Sequence, residues 1–478
     1  MKNPLKDLSD TSKIEKTIKQ AINIKDVEKD VDGKSNKVVH KKQKALEHSI
    51  TEGSAANFSA GMGNSYITPF ALALNSNPFQ IGLLSSFSGL ASPLAQFFGS
   101  KLMETHSRKR IVMIFVLLQS LMWLPILALG YLFWQGLLVS YLPYLLITLF
   151  SILAIFGGIA TPAWFTWMGD LVPEKDRGKY FSVRNRAVGA AGLIAVLLAA
   201  LILDMFKTQG FVLLGFAVIF ALAFTFRFIS FLTFRKQYDP KFKLEKGYSF
   251  SFLSFIKKFD NYGKFSIYNL FFYFALMIAS PFFAVYMLTD LGFSYTTFMF
   301  ITLSSSLFYL LLTPLAGKFS DRFGNVKLLY TAQVFFVLYP IFWIFFENPL
   351  YLIIFPQLAG GIAMAAFTIA STNFTYAAVG PQHRGICIAY TSILIGIGVF
   401  LGSILGGALI KYIPITFMKP ILFVFLLSAS LRFLAGLLFL PKIKDEMHFK
   451  RLPPMHVHLA HPFKTLHSEI GWFKKVFK

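Results

Sequence analysis

Between about residues 52 and 440 the chain alternates long apolar runs with short polar breaks. Twelve runs can be drawn, at 52–75, 79–101, 111–134, 137–168, 185–206, 209–234, 264–289, 294–316, 328–346, 349–378, 385–410 and 417–440. Each is long enough to cross a hydrocarbon layer of about 30 Å as a helix. They are too long for barrel strands and lack strict two-residue alternation, so the pattern predicts an all-α membrane protein with twelve transmembrane helices.

The flanking and connecting segments are different in kind. Residues 1–50 mix Lys with Asp and Glu around a weak stripe of Ile14, Ile18 and Ile22, which predicts a charged cytoplasmic tail. This stretch has no apolar core, so no cleavable signal peptide is expected. The longest break falls between the sixth and seventh runs. The predicted organisation is therefore a tail at 1–50, a first half at 51–234, a central loop at 235–263, a second half at 264–441 and a basic tail at 442–478.

Internal repetition supports two halves. Gly157-Gly158-Ile159-Ala160 recurs as Gly360-Gly361-Ile362-Ala363, Arg177-Gly178 as Arg384-Gly385, and Arg227-Phe228 as Arg432-Phe433. The order is the same in both halves and the separations nearly equal, as duplication produces. A fourth marker is the polar island at 317–327, which reads as a tight turn, with a weaker copy at 100–110 that has Glu104 in place of Asp321 and Ser107 in place of Gly324.

Composition agrees: the chain is 55% hydrophobic and 14% charged, with a mean hydropathy of +0.59. The net charge of +23 is concentrated in the tails and alternate loops. One side collects Lys101, Arg108, Lys109, Arg110, Lys175, Arg177, Lys179, Arg184, Lys318, Arg322 and Arg384, which makes it the cytoplasmic side, with both termini there. No soluble segment combines basic and aromatic residues into a nucleic-acid surface. The lone Cys387 reads as a core residue, and the tail histidines from His448 to His467 lack a scaffold for a metal. No nucleotide-binding Gly-rich loop is present, which argues against an ATP-driven pump, and no cofactor is expected.

With two six-span halves, a long central loop and Gly317-x-x-x-Asp321-Arg322-x-Gly324 between spans eight and nine, the sequence resembles the major facilitator superfamily over about 50–440. That resemblance implies a secondary transporter of small solutes, not an enzyme, in which the halves rock about a central site. It also implies a cytoplasmic gate, for which Glu104, Arg108, Asp170, Arg177, Arg184, Gly317, Asp321, Arg322, Gly324 and Arg384 are the candidates. A multi-pass plasma-membrane monomer follows as an expectation.

In the family, spans one, four, seven and ten line the cavity. Their polar groups are Asn64, Ser65, Tyr66, Thr161, Trp164, Asn269, Tyr273, Gln357, Thr368 and Asn373, each readable as a substrate contact or as packing between helices. Arg227 and Arg432 are expected either to snorkel or to brace a neighbouring helix. No carboxylate is placed at mid-span in these four helices, since Asp170, Asp204, Asp290 and Glu347 fall near span ends. That leaves the coupling ion open and favours facilitated diffusion or coupling through rim acids. The 56 phenylalanines keep a second reading in view, a translocase of lipid or amphipathic molecules or a transport-inactive sensor on the same fold.

Overall fold

The computed structural model describes residues 35–172, 177–240, 252, 255 and 260–445. All regular structure among them is helical. We number the spans α1 (Ser35–Met62, continued by Ile67–Ala73), α2 (Pro78–Leu102), α3 (Arg108–Trp134), α4 (Leu142–Leu171), α5 (Arg177–Thr208) and α6 (Val212–Lys236). The second series is α7 (Asn261–Asp290), α8 (Tyr295–Phe323), α9 (Asn325–Phe345), α10 (Pro349–Ala378), α11 (Pro381–Tyr412) and α12 (Pro420–Phe439). Among the described residues, 11 of these helices are long and apolar enough to span a membrane. The exception is α1, whose first turns are basic and whose course is broken at 63–66.

Two boundaries differ from expectation. The first helix begins at Ser35 instead of near 51, because Ala45, Leu46, Ser49 and Ile50 form a buried stripe at helical spacing while Lys41, Lys44 and Glu47 face outward. Those charges hid the stripe from a hydropathy reading. The island at 317–327 is not a loop: α8 runs through it to Phe323, and the whole turn is Gly324, at φ +100°. A side chain at that φ would be strained, so glycine is required there.

Two compact units result, Met1–Ser76 with Ala91–Lys246, and Asn77–Leu90 with Gly247–Lys478. The first half of α2 thus packs with the second unit, against α11. Small residues allow it: Gly82 lies against the Ser403 carbonyl, Gly407 stands over Pro78, and Ser86 Oγ donates to Phe400 O at 2.9 Å. Within the second unit, Gly398, Gly402 and Gly406 repeat every fourth residue along α11 and meet the carbonyls of Leu270, Phe274 and Ile278 on α7. Cys387 is buried beside Tyr390, as the sequence suggested.

Candidate functional site

Starting α1 at Ser35 places Glu52 well inside a helix. Glu52 is 2% exposed, and its Oε1 accepts hydrogen bonds from Arg184 NH2 at 3.0 Å and Trp164 Nε1 at 3.3 Å. Arg184 is buried as well; its Nε donates to Ser49 Oγ at 3.1 Å and its guanidinium lies 4.7 Å from the centre of the Trp164 ring. Gly53 permits the approach, because a Cβ there would run into the Arg184 guanidinium. One turn earlier, Tyr180 OH donates to Leu46 O at 3.0 Å, fixing α5 against α1. Trp164 stands about two turns, ~10 Å, before the end of α4, so the pair lies within the bundle and not at its rim. This corrects the expectation that no carboxylate lies inside the cavity helices.

Arg227 on α6 interacts electrostatically with Glu52, but its hydrogen bonds go to neutral groups, Gln119 Oε1 at 3.1 Å and Ser230 Oγ at 3.5 Å. Arg432 is its counterpart in the second unit. It is 1% exposed and donates to Phe336 O at 2.8 Å and Leu276 O at 3.2 Å, while Gln333 Nε2 donates to the Arg432 carbonyl and Tyr268 OH to Gln333 Oε1 at 2.7 Å. Each unit therefore ties an arginine on its last helix to a glutamine on its third. Bracing, and not snorkelling, is their role.

A second cluster sits at the basic ends of α3, α4 and α6. Arg108, 1% exposed, donates from NH1 to Asp170 Oδ2 at 2.5 Å and Thr166 O at 3.1 Å, and from NH2 to Asp239 Oδ1 at 3.3 Å and Pro240 O at 3.1 Å. Lys109 Nζ holds the carbonyls of Arg235 and Gln237 at 2.9 and 2.7 Å, and Trp167 Nε1 holds Tyr238 O at 3.0 Å. Burial raises the Asp239 carboxyl from its ordinary value, with Arg108 pulling the other way. The second unit repeats the plan with different atoms. Asp445, just past α12, accepts from the backbone N–H of Asn325 at 3.0 Å and Val326 at 3.2 Å, at the start of α9. In both units an aspartate after the last helix clasps the start of the third.

A profile of the Major Facilitator Superfamily matches residues 53–261 and again 265–471. The chain belongs to the Major Facilitator Superfamily. Among solved structures, the nucleoside transporter NupG is similar, with a TM-score of 0.59 and 17% identity over 84% of this chain and 99% of that one. The POT family transporter PepTSo gives 0.63 and 13% over 83% and 96%. A bacterial homologue of the iron transporter ferroportin, in an inward-facing state, gives 0.59 and 16% over 84% and 98%. Such identities show the fold alone. No curated protein sequence matches.

The superfamily signature at 317–324 is built differently from its expected electrostatics. Asp321 is exposed and has no hydrogen bond or ion pair among the described residues, and nothing lies within 4 Å of a Cβ on Gly317. Arg322 lies over the Phe323 ring. The partner of this turn is the half-buried Asn373, whose Nδ2 donates to Ser320 Oγ at 3.1 Å, with Ser320 Oγ donating in turn to Asn325 Oδ1 at 2.6 Å. Asn373 therefore belongs to the turn and not to mid-span. Glu104 is exposed in the degenerate copy, whose turn at 103–107 is longer.

Of the other expected gate residues, Arg108 and Asp170 come together and Arg184 joins Glu52. Arg384 meets no acid among the described residues: its NH2 donates to Tyr376 O at 3.2 Å and Val379 O at 3.1 Å, closing the end of α10. The Arg177 side chain, the tail histidines and most of the central loop lie outside the described residues.

The expected cavity residues divide. Asn64 and Ser65 are exposed at the break in α1, where Gly63 makes room for the Trp123 ring, whereas Tyr66 is fully buried and donates to Val196 O at 2.5 Å as packing. Thr161 bonds back to Gly157 O at 2.8 Å and Asn269 to Phe265 O at 2.9 Å, each within its own helix. Tyr273 packs edge-on against Phe272, Gln357 is buried beside Tyr339, and Thr368 is half-buried. Among the described residues, Trp164 is the one of this set with a hydrogen bond to a charged group. Sequence reasoning missed Glu52, Asp239 and Asp445; the buried stripe from Ala45 to Ile50 was the signal for the first, and the equal placement of the two aspartates after spans six and twelve for the others.

Proposed function

We propose that the chain is a secondary active or facilitative transporter that moves a small organic solute by alternating access between two six-helix halves. The observation that supports this reading best is the duplicated clasp, Asp239 on Arg108 and Asp445 on the start of α9. It binds each half's last helix to its third and lets each half act as one rigid body, which alternating access requires. The exposed Asp321 and Glu104 then serve as gate charges available to partners that change during the cycle. Basic loops support a cytoplasmic position for both termini, and the reading includes a monomer in the plasma membrane.

The test is flux into proteoliposomes from a panel of organic anions, cations and neutral solutes, with and without a pH or sodium gradient. Saturable uptake of at least one class is expected. No flux across the panel overturns the reading, and movement of fluorescent lipid without solute flux would replace it with lipid translocation.

A further inference from the structure

Inside the first unit, two guanidiniums share the field of one buried carboxylate. Glu52 is paired with Arg184 and feels Arg227, while Arg227 itself is bonded only to neutral groups. Among the described residues no other acid on the packed helices sits with them, Glu47 of α1 being exposed on its outer face. On α4, Asp170 is held by Arg108, and on α5, Asp204 lies far along the helix beside Tyr66. An uncompensated positive charge among apolar helices is costly, and proteins keep such charges where an anion comes to meet them.

The geometry shows which atoms are left for it. Arg184 commits NH2 to Glu52 and Nε to Ser49, and NH1 has no partner among the described residues; Glu52 likewise uses only Oε1. Arg184 keeps 7% of its surface exposed and Glu52 2%. The Arg184 guanidinium lies over the Trp164 ring, 4.7 Å from its centre, and Gly53 leaves the space that lets it sit so close to α1. Such an arginine is a planar donor fixed before any ligand arrives, with a tryptophan face alongside.

We propose that Arg184 is the anion receptor of the first half and that the solute carried bears a carboxylate, which docks on Arg184 NH1 beside Trp164 and neutralises the excess charge. This rests on the transporter reading and adds the class of solute. Glu52 holds the receptor in place and competes with the incoming carboxylate for it.

The experiment uses the full chain in lipid nanodiscs and measures the thermal shift produced by acetate, benzoate and succinate, each against its uncharged amide. At least one carboxylate should raise the melting temperature while its amide does not. Replacing Glu52→Gln removes the competitor and should tighten that carboxylate about tenfold or more, and Arg184→Gln should weaken it by a similar factor. Equal binding of acid and amide, no binding of any acid, or binding unchanged in Arg184→Gln overturns the proposal. If Arg184→Gln gives no cooperative melt, Glu52→Gln decides, and unchanged or weaker binding overturns it. Flux in proteoliposomes separates the two readings. Carboxylate binding without flux supports the receptor and overturns the transporter, whereas flux of neutral solutes insensitive to Arg184→Gln keeps the transporter and overturns the receptor.

Discussion

Replacing Gly402 by Ala should drive α11 away from α7. A Cβ at Gly402 would stand 3.1 Å from the Phe274 carbonyl carbon and 3.2 Å from its Cα, and closer still to its oxygen. Carbon atoms prefer about 3.5–4.0 Å, so the helices must part by roughly half an ångström or more. The obstacle is backbone, which cannot swing aside as a side chain does. Overpacking of this kind costs about 1–3 kcal/mol. Ala also favours a helix over Gly by about 1 kcal/mol, which would mask part of the loss. Gly385 supplies the control: it is on the same helix, exposed, with nothing within 4 Å of a Cβ. The helix-forming gain is common to both variants, so their difference isolates the packing cost. At about 2–4 °C per kcal/mol for a unit of this size, Gly402→Ala should melt several degrees below Gly385→Ala in the same detergent. If it melts at or above the control, the close α7–α11 contact is wrong.

Asp445→Ala should cost about 1 kcal/mol, as loss of an acceptor at a helix start does, while Asp321→Asn should stay within about 0.5 kcal/mol of the parent. Melting temperatures in the reverse order would refute the assignment of Asp445 as the clasp. For Asp239 the folded-state pKa lies above the unfolded one, so its favourable contribution is present below the unfolded value and is lost as pH rises through the folded one. Asp239→Asn should therefore melt at or above the parent near pH 7, with the advantage gone by about pH 4, and a variant several degrees less stable near pH 7 would contradict the dominance of burial.

Hydropathy placed the spans because a bilayer imposes length and apolarity on any helix that crosses it. It placed the two halves because duplication leaves matched markers such as Arg227 and Arg432. It failed at α1, where Lys41, Lys44 and Glu47 share turns with the buried Ala45, Leu46 and Ser49, so averaging over a window cancels the two faces. That one error moved Glu52 from the inside of a helix to its end and removed the first unit's buried carboxylate from view. The signature at 317–324 misled in another way. Its charges suggested a loop, but a helix end tolerates Asp321 and Arg322 on its outer face, and only Gly324 must turn.

The sequence by itself determined the number and type of elements, their grouping into two related halves and the basic side, since these follow from local composition and repetition. Partners were decided by the tertiary structure alone. Arg184 could have met Asp170, and Asp321 could have met any neighbouring arginine; nothing along the chain ranks those choices. The answer depends on which helix faces meet and on where glycines such as Gly53 leave room, and those are properties of three-dimensional packing that charge and spacing do not encode.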